Sequence, residues 1–196
     1  KASMLLSRDL AESVTFMRTA VQHLANIIDG LLRLSRAGRV EYRSEDVDVA
    51  AVVNEILASM HATITGAKAT VIVDPLPRAR GDRNAIAQVF ANLIGNSAKS
   101  FAPGRPGRIK VSASAPVGSA PPVYCVTDNG IGIPEAYRPK IFQVFQHVHD
   151  GPGRGEGMGL AIVRRIVERH GGRISFESRS NEGTPFFFTL SAGASA

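Results

Sequence analysis

The chain has no tryptophan and a single cysteine, Cys125. One thiol cannot close an internal disulfide, and it excludes any metal site built from several cysteines. The surrounding VYCVTD reads as a buried strand, which suits a packed thiol rather than a reactive one. No run of about eighteen apolar residues occurs, so no membrane span and no membrane contact are expected from this stretch. A secretory leader pattern is missing as well, and the first residue is Lys1; we expect a piece of a longer protein. The net charge is +6, but the arginines are dispersed. Without zinc-finger spacing or an RNA-reading aromatic signature, that surplus does not point to nucleic acid.

What is present suffices for an ordinary core: 196 residues, 44% apolar and 20% charged. Residues 9–36 carry Leu10, Val14, Met17, Val21, Leu24, Ile28 and Leu31 at alternating spacings of four and three. This heptad seam predicts one long helix of a coiled coil or four-helix bundle. Asp9 and Glu12 have capping-box spacing, and Gly38 suits the far end. At 1.5 Å per residue the rod is about 42 Å long and outruns a small core. Its expected partner is a second copy of the chain.

The remainder alternates helical and strand patterns. EYRSEDVD (41–48) reads as a polar link and 48–64 as a helix. Strands are expected at 69–74, 78–80, 107–115 and 121–128. Asp82 should cap a helix reaching about Ser100. Residues 134–156 read as irregular, and a helix then closes on Gly171-Gly172. RISFES and TPFFFTLS form a closing hairpin. Sheet on one side and helices on the other give an α+β two-layer sandwich.

Three clusters carry chemistry. In VFANLIGNSAKSF (89–101), Asn92, Asn96 and Lys99 form a polar stripe beside a buried face of Ile86, Val89, Phe90, Leu93 and Ile94. An amide oxygen can ligate a hard cation such as Mg²⁺, and a lysine offers a point charge to phosphate. Taken alone, the stripe could equally be a solvated face. DNGIGI (128–133) follows a strand directly. Gly130 and Gly132 let backbone approach a flat ligand, and Asp128 can accept a hydrogen bond from an exocyclic amine such as that of adenine. The plain alternative is an Asn-Gly turn. GPGRGEGMGLAIV places glycines at 151, 153, 155, 157 and 159 before an apolar helix. Such a loop is an anion site or a mobile lid. It is neither a Walker loop nor a dinucleotide turn, because no Gly-Lys-Ser/Thr follows and no strand precedes it.

In this order, the three clusters resemble the ATP-binding domain of sensor histidine kinases, within the wider family of gyrase, heat-shock chaperones and mismatch-repair ATPases. The helix 82–100 is similar to the N box, DNGIGI to the G1 box and GRGEGMGL to the G2 box. IFQVFQHVH (141–149) is similar to the F box, with Phe142 and Phe145 anchoring the lid. NEGTPFFFTL resembles the final glycine-threonine hairpin, with Thr184 near the adenine pocket. The front helix resembles the second helix of the dimerisation and histidine-phosphotransfer hairpin. FQHVH and IVERHGG are similar to the phytochrome-like branch. The resemblance implies residues 1–43 as the end of that hairpin and 44–196 as the catalytic domain. It further implies Mg²⁺ on Asn96, phosphates at Asn92 and Lys99, and adenine on Asp128 in a pocket shaped by Gly130 and Gly132. Gly155, Gly157 and Gly159 would wrap the triphosphate. The implied partners are a second copy, through 9–36, and a response regulator. The implied location is the cytoplasm, with or without a membrane tether on the intact protein.

The same resemblance selects the reaction. ATP-hydrolysing relatives carry a glutamate base four residues before the metal-binding asparagine, where this chain has Asn92. An amide cannot take a proton near neutral pH, which favours transfer to a histidine over hydrolysis. No histidine here has the acceptor context. Leu24-Ala25 follows His23, His61 lacks an acidic neighbour, His147 and His149 sit in the lid, and His170 precedes paired glycines. The acceptor is therefore expected upstream. Two positions depart from the family pattern: Glu156 replaces a small hydroxyl residue, and Ser100 replaces an aromatic. They make a degenerate binding module without transfer activity the competing reading.

Overall fold

The computed structural model describes residues 2–39, 42–114, 120–146, 157–179 and 181–192. Helix α1, Ala2–Arg39, runs for 38 residues and overshoots the expected span at both ends. Asp9 thus lies inside the helix and starts no capping box, and Gly38 falls within the last turn. Ala-Ser-Met-Leu-Leu ahead of Asp9 extends the helix readily, and one glycine costs only about 1 kcal/mol, too little to stop it. The seam residues Val14, Met17, Val21, Leu24, Ile28 and Leu31 remain 44–65% exposed. Gly30, on another face, is buried: a Cβ there would collide with the side chain of Met158.

The expected polar link contains a strand. β1 (Glu45–Val47) pairs antiparallel with β3 (Ala79–Gly81), which pairs in turn with β8 (Ser191–Ala192). Strands of three and two residues hold too few alternations for periodicity to reveal them. What fixes them is tertiary: Val47 and Ala79 are buried, and Arg78 bonds Asp46 at 2.6 Å. The helix expected at 48–64 is two, α2 (Val49–Ser59) and α3 (His61–Gly66). At the break Met60 leaves helical geometry with φ −96° and ψ 9°, while the Ile56 carbonyl accepts from both the Met60 amide at 2.9 Å and the Ser59 hydroxyl at 2.8 Å.

The main sheet has order β2-β4-β5-β7-β6. Its strands are β2 (Ala69–Val73), β4 (Gly107–Ala113), β5 (Val123–Asp128), β6 (Ile174–Phe176) and β7 (Pro185–Thr189). β2 and β4 are parallel, joined through β3 and helix α4 (Arg83–Ala98); the other neighbours are antiparallel. Helix α5 is Gly159–Arg169, and a 3-10 helix at Glu135–Lys140 orders part of the stretch expected to be irregular.

Alternate residues of the strands point inward: Ile109 and Val111, Tyr124 and Val126, Phe186 and Phe188 are all buried. They meet Ile86, Val89, Phe90 and Leu93 of α4 and Val163, Ile166 and Val167 of α5. Phe90, Tyr124 and Phe188 lie within 5.2–6.0 Å of one another at the centre. Each large apolar side chain so removed from water contributes about 1.5–3 kcal/mol. Arg108 and Lys110, the alternate positions of β4, are exposed. The fold is therefore the expected α+β sandwich, with a small second sheet added.

Candidate functional site

α4 is anchored at its start. Asp82 caps it, accepting from the Ala85 amide at 2.9 Å. The Asp82 amide in turn donates to His170 Nε2 at 3.1 Å, just past the end of α5. His170 also stacks on Tyr42 with ring centroids 4.6 Å apart. Its Nδ1 lies 2.8 Å from the Ile166 carbonyl, so the neutral ring donates there and accepts at Nε2.

With Ile86, Val89, Phe90, Leu93 and Ile94 committed to the core, α4 turns Asn92 and Asn96 to a half-buried edge and leaves Lys99 exposed at its C-cap. The Asn92 amide donates to the Gln88 carbonyl at 2.8 Å, which leaves Oδ1 free of that bond. The side chains of Asn96 and Lys99 have no hydrogen-bond or ion-pair partner among the described residues. Gly159, the first residue of α5, closes on this edge. A Cβ there would sit 2.8 Å from Asn92 Oδ1 and 3.8 Å from Asn96 Nδ2. Gly157 lies against Gln146: its Cβ would come within 2.7 Å of the Gln146 carbonyl oxygen. Gly155 and Glu156 lie outside the described residues, as do His147 and His149. Phe142 packs edge-on against Phe176 at 5.9 Å, whereas Phe145 is 45% exposed.

Asp128, at the end of β5, is only 5% exposed. Its Oδ1 accepts from the Gly130 amide at 2.8 Å and its Oδ2 from the Ser97 hydroxyl at 3.0 Å. Burial pushes its carboxyl above the usual range, and hydrogen bonds from Gly130, Ser97, Ser100 and the Thr184 backbone pull the other way. A Cβ on Gly130 would collide with Ser100 Oγ, and one on Gly132 would meet the Arg179 carbonyl. Thr184 is buried, with its hydroxyl 3.0 Å from that of Ser178. Ser178 also accepts from the Ile133 amide at 2.7 Å, tying the glycine turn to the hairpin. Asn129 faces away from this group. It accepts from the Arg108 amide and donates to the Pro106 carbonyl, as a structural staple.

The bond from Ser97 to Asp128 joins the polar stripe of α4 to the DNGIGI turn, and Gly159 joins the glycine segment to the same helix. The described members of all three sequence clusters therefore meet around α4. Sequence reading missed Ser97 and Ser178 as members, and picked out Ser100 only as a departure from the family's aromatic. Ser97 follows Asn96 directly inside the first cluster, but a small residue on the buried side of that helix gives no periodic signal of its own; only Asp128, brought to it across the fold, reveals it.

A family model described as "Histidine kinase-, DNA gyrase B-, and HSP90-like ATPase" matches residues 81–194. The chain belongs to this family. Among curated relatives of this ATPase-family chain is Cyanobacterial phytochrome B of Nostoc sp., 40% identical over 178 residues, covering 86% of this chain and 23% of that protein. Another is the Methanogenesis regulatory histidine kinase FilI of Methanothrix harundinacea, 36% identical over 179 residues, 90% of this chain and 20% of that protein. The chain thus spans about a quarter of the length of the curated relatives it matches. Among solved structures, full-length ShkA in complex with AMPPNP superposes with a TM-score of 0.75 at 26% identity, over 94% of this chain and 39% of that one. The catalytic domain of histidine kinase ThkA gives 0.63 at 27% identity, over 78% and 99%. Among the described residues no helix is long and apolar enough to cross a membrane, and no group of three or more His, Cys, Asp or Glu could hold a metal.

Proposed function

We propose that this chain is the ATP-binding catalytic portion of a sensor histidine kinase, transferring the γ-phosphoryl group to a histidine upstream for relay to a response regulator. One observation carries the reading: Asn92, Asn96, Gly159 and Asp128 are gathered on and around α4, with two polar side chains that have no partner among the described residues, Asn96 and Lys99, on that helix and at its C-cap. The residues fit a magnesium nucleotide. Asp128 is a buried carboxylate without a cation partner among the described residues, next to glycines that leave no room for a side chain, which suits a flat base with an amine. Asn96 would hold Mg²⁺ through its amide oxygen. Asn92 and Lys99 would meet the phosphates, Gly130 and Gly132 would shape the base pocket beside Thr184, and Gly155, Gly157 and Gly159 would line the phosphate side. Bound Mg²⁺ would neutralise charge on the phosphates during transfer.

Transfer breaks the bond from the γ-phosphorus to its bridging oxygen and forms a nitrogen–phosphorus bond. A neutral imidazole supplies its lone pair and sheds its ring proton to solvent, so no protein base is required. That agrees with Asn92, whose amide accepts no proton. The test is incubation of the chain with γ-labelled ATP, Mg²⁺ and a separate helical hairpin bearing an acceptor histidine. Acid-labile label on the hairpin, with steady phosphate release far slower, is the expected result. Tight ATP binding without transfer would leave a binding module only, and rapid phosphate release would make it an ATPase.

We further propose that residues 1–43 belong to a dimerisation hairpin and 44–196 to the catalytic domain, with a second copy covering the exposed seam of α1. Leu24→Glu is expected to weaken the dimer at least about tenfold, since it puts a charge where an apolar knob should be buried. Sedimentation equilibrium checks this; an unchanged association constant overturns the seam assignment.

A further inference from the structure

Ser97 is 2% exposed, and its hydroxyl donates to Asp128 Oδ2. No other acceptor for that proton occurs among the described residues. Ser100 stands one turn on. Its hydroxyl donates to the Ser97 carbonyl at 2.9 Å, its carbonyl accepts from the Ile131 amide at 2.9 Å, and its Oγ lies against Gly130 beside the Asp128 carboxyl. A hydroxyl has one proton, so Ser100 serves the Ser97 carbonyl or the carboxylate, one at a time. Ser97 is therefore the committed donor and Ser100 the exchangeable one.

We propose that Ser97 and Ser100 are positioning residues that hold the Asp128 carboxylate as a pure acceptor, and thereby set this chain's preference for 6-amino over 6-oxo purine nucleotides. The inference rests on the nucleotide reading above. An ionised carboxylate has no proton to give, so it accepts from a 6-amino group and opposes the lone pairs of a 6-oxo group. A protonated carboxyl can donate to that same oxygen, and the discrimination fades. In a buried position, ionisation is favoured only by the donors that face it. Here they are neutral: Ser97 from α4, Ser100 just past its end, the Gly130 amide from the turn after β5 and the Thr184 amide ahead of β7. The charged side chains on the neighbouring elements, Lys99 of α4 and Arg108 of β4, are exposed, and neither contributes to the shift. The position that departs from the family's aromatic, Ser100, thus gains a role in the base site.

Two measurements test this. In Ser97→Ala, the Asp128 carboxyl resonance of the nucleotide-free chain should titrate about one pH unit higher, the tenfold equivalent of a lost charge-assisted hydrogen bond. The ATP deficit of this variant should approach about tenfold below the wild-type acid midpoint and shrink well above it, and preference for ATP over ITP should fall by a similar factor at the acid end. Ser100→Ala, at a half-buried position past the helix end, should show the same pattern at about two- to threefold. A deficit equal at every pH, or an unmoved carboxyl titration, overturns the proposal. Failure of the wild-type chain to bind ATP at all overturns the nucleotide reading, while the titration in the free chain still judges the serine–carboxylate link by itself.

Discussion

Asp128→Asn should lower ATP affinity about 100-fold or more and leave the fold as stable at neutral pH as the parent, or more stable. The two effects share one origin. The carboxylate is buried, which raises its pKa in the folded chain above that of the unfolded one. A group shifted in that direction favours the folded state fully below the ordinary carboxylate range and loses that contribution as pH rises through the folded value. An amide never ionises, so the variant escapes the loss. Its Oδ1 can still accept from the Gly130 amide, and the Ser97 hydroxyl can turn to accept from Nδ2. A base amine, however, would then meet a site with one acceptor fewer. For the wild type, ATP affinity should fall as pH drops through the raised Asp128 value, and the variant should show no such acid limb. Calorimetric titration across pH, with thermal melts alongside, measures both. A variant that binds ATP normally would remove Asp128 from the base site.

The second large effect is on stability. Gly183→Ala should cost about 3 kcal/mol and lower the melting temperature by about 10 °C. Gly183 has φ +87°, and its Cβ would collide with the Asp128 carbonyl oxygen and stand 2.7 Å from the Asp128 carbonyl carbon. The obstruction is backbone, which cannot swing aside. Gly104 is the control: its φ is +80°, but nothing lies within 4 Å of an added Cβ. Gly104→Ala should cost only about 1 kcal/mol, the backbone strain without the collision. Comparable melting temperatures for the two variants would show that the contact of Gly183 with β5 yields easily.

Much of this was legible in the sequence because the relevant signals are local. Asp82 caps α4 three residues before Ala85, and the apolar stripe of that helix fixes which edge Asn92 and Asn96 share. The G1 turn follows a strand whose alternation shows in Tyr124 and Val126. The extent of α1 exceeds what Asp9 and Gly38 suggest, because they have cap chemistry while the surrounding residues favour helix enough to override it. The break at Met60, where φ is −96° and ψ 9°, is marked by no glycine or proline. β1 and β8 exist through pairing with β3, across separations that periodicity does not sense. Likewise Ser97 looks like one more small helix residue until β5 brings Asp128 to it.

The linkage of α4 to both ends of the candidate ligand has a consequence for how recognition is graded. One rigid rod carries the serine bonded to the proposed base acceptor, Asp128, and, one and five residues earlier, the two amides facing α5. Rolling or sliding that rod to suit a shorter or misplaced phosphate chain would drag the carboxylate's partner with it. Contacts at the two ends should therefore be strongly non-additive, so that a fragment offering the base alone, or the phosphates alone, earns far less than its share of the whole molecule's affinity.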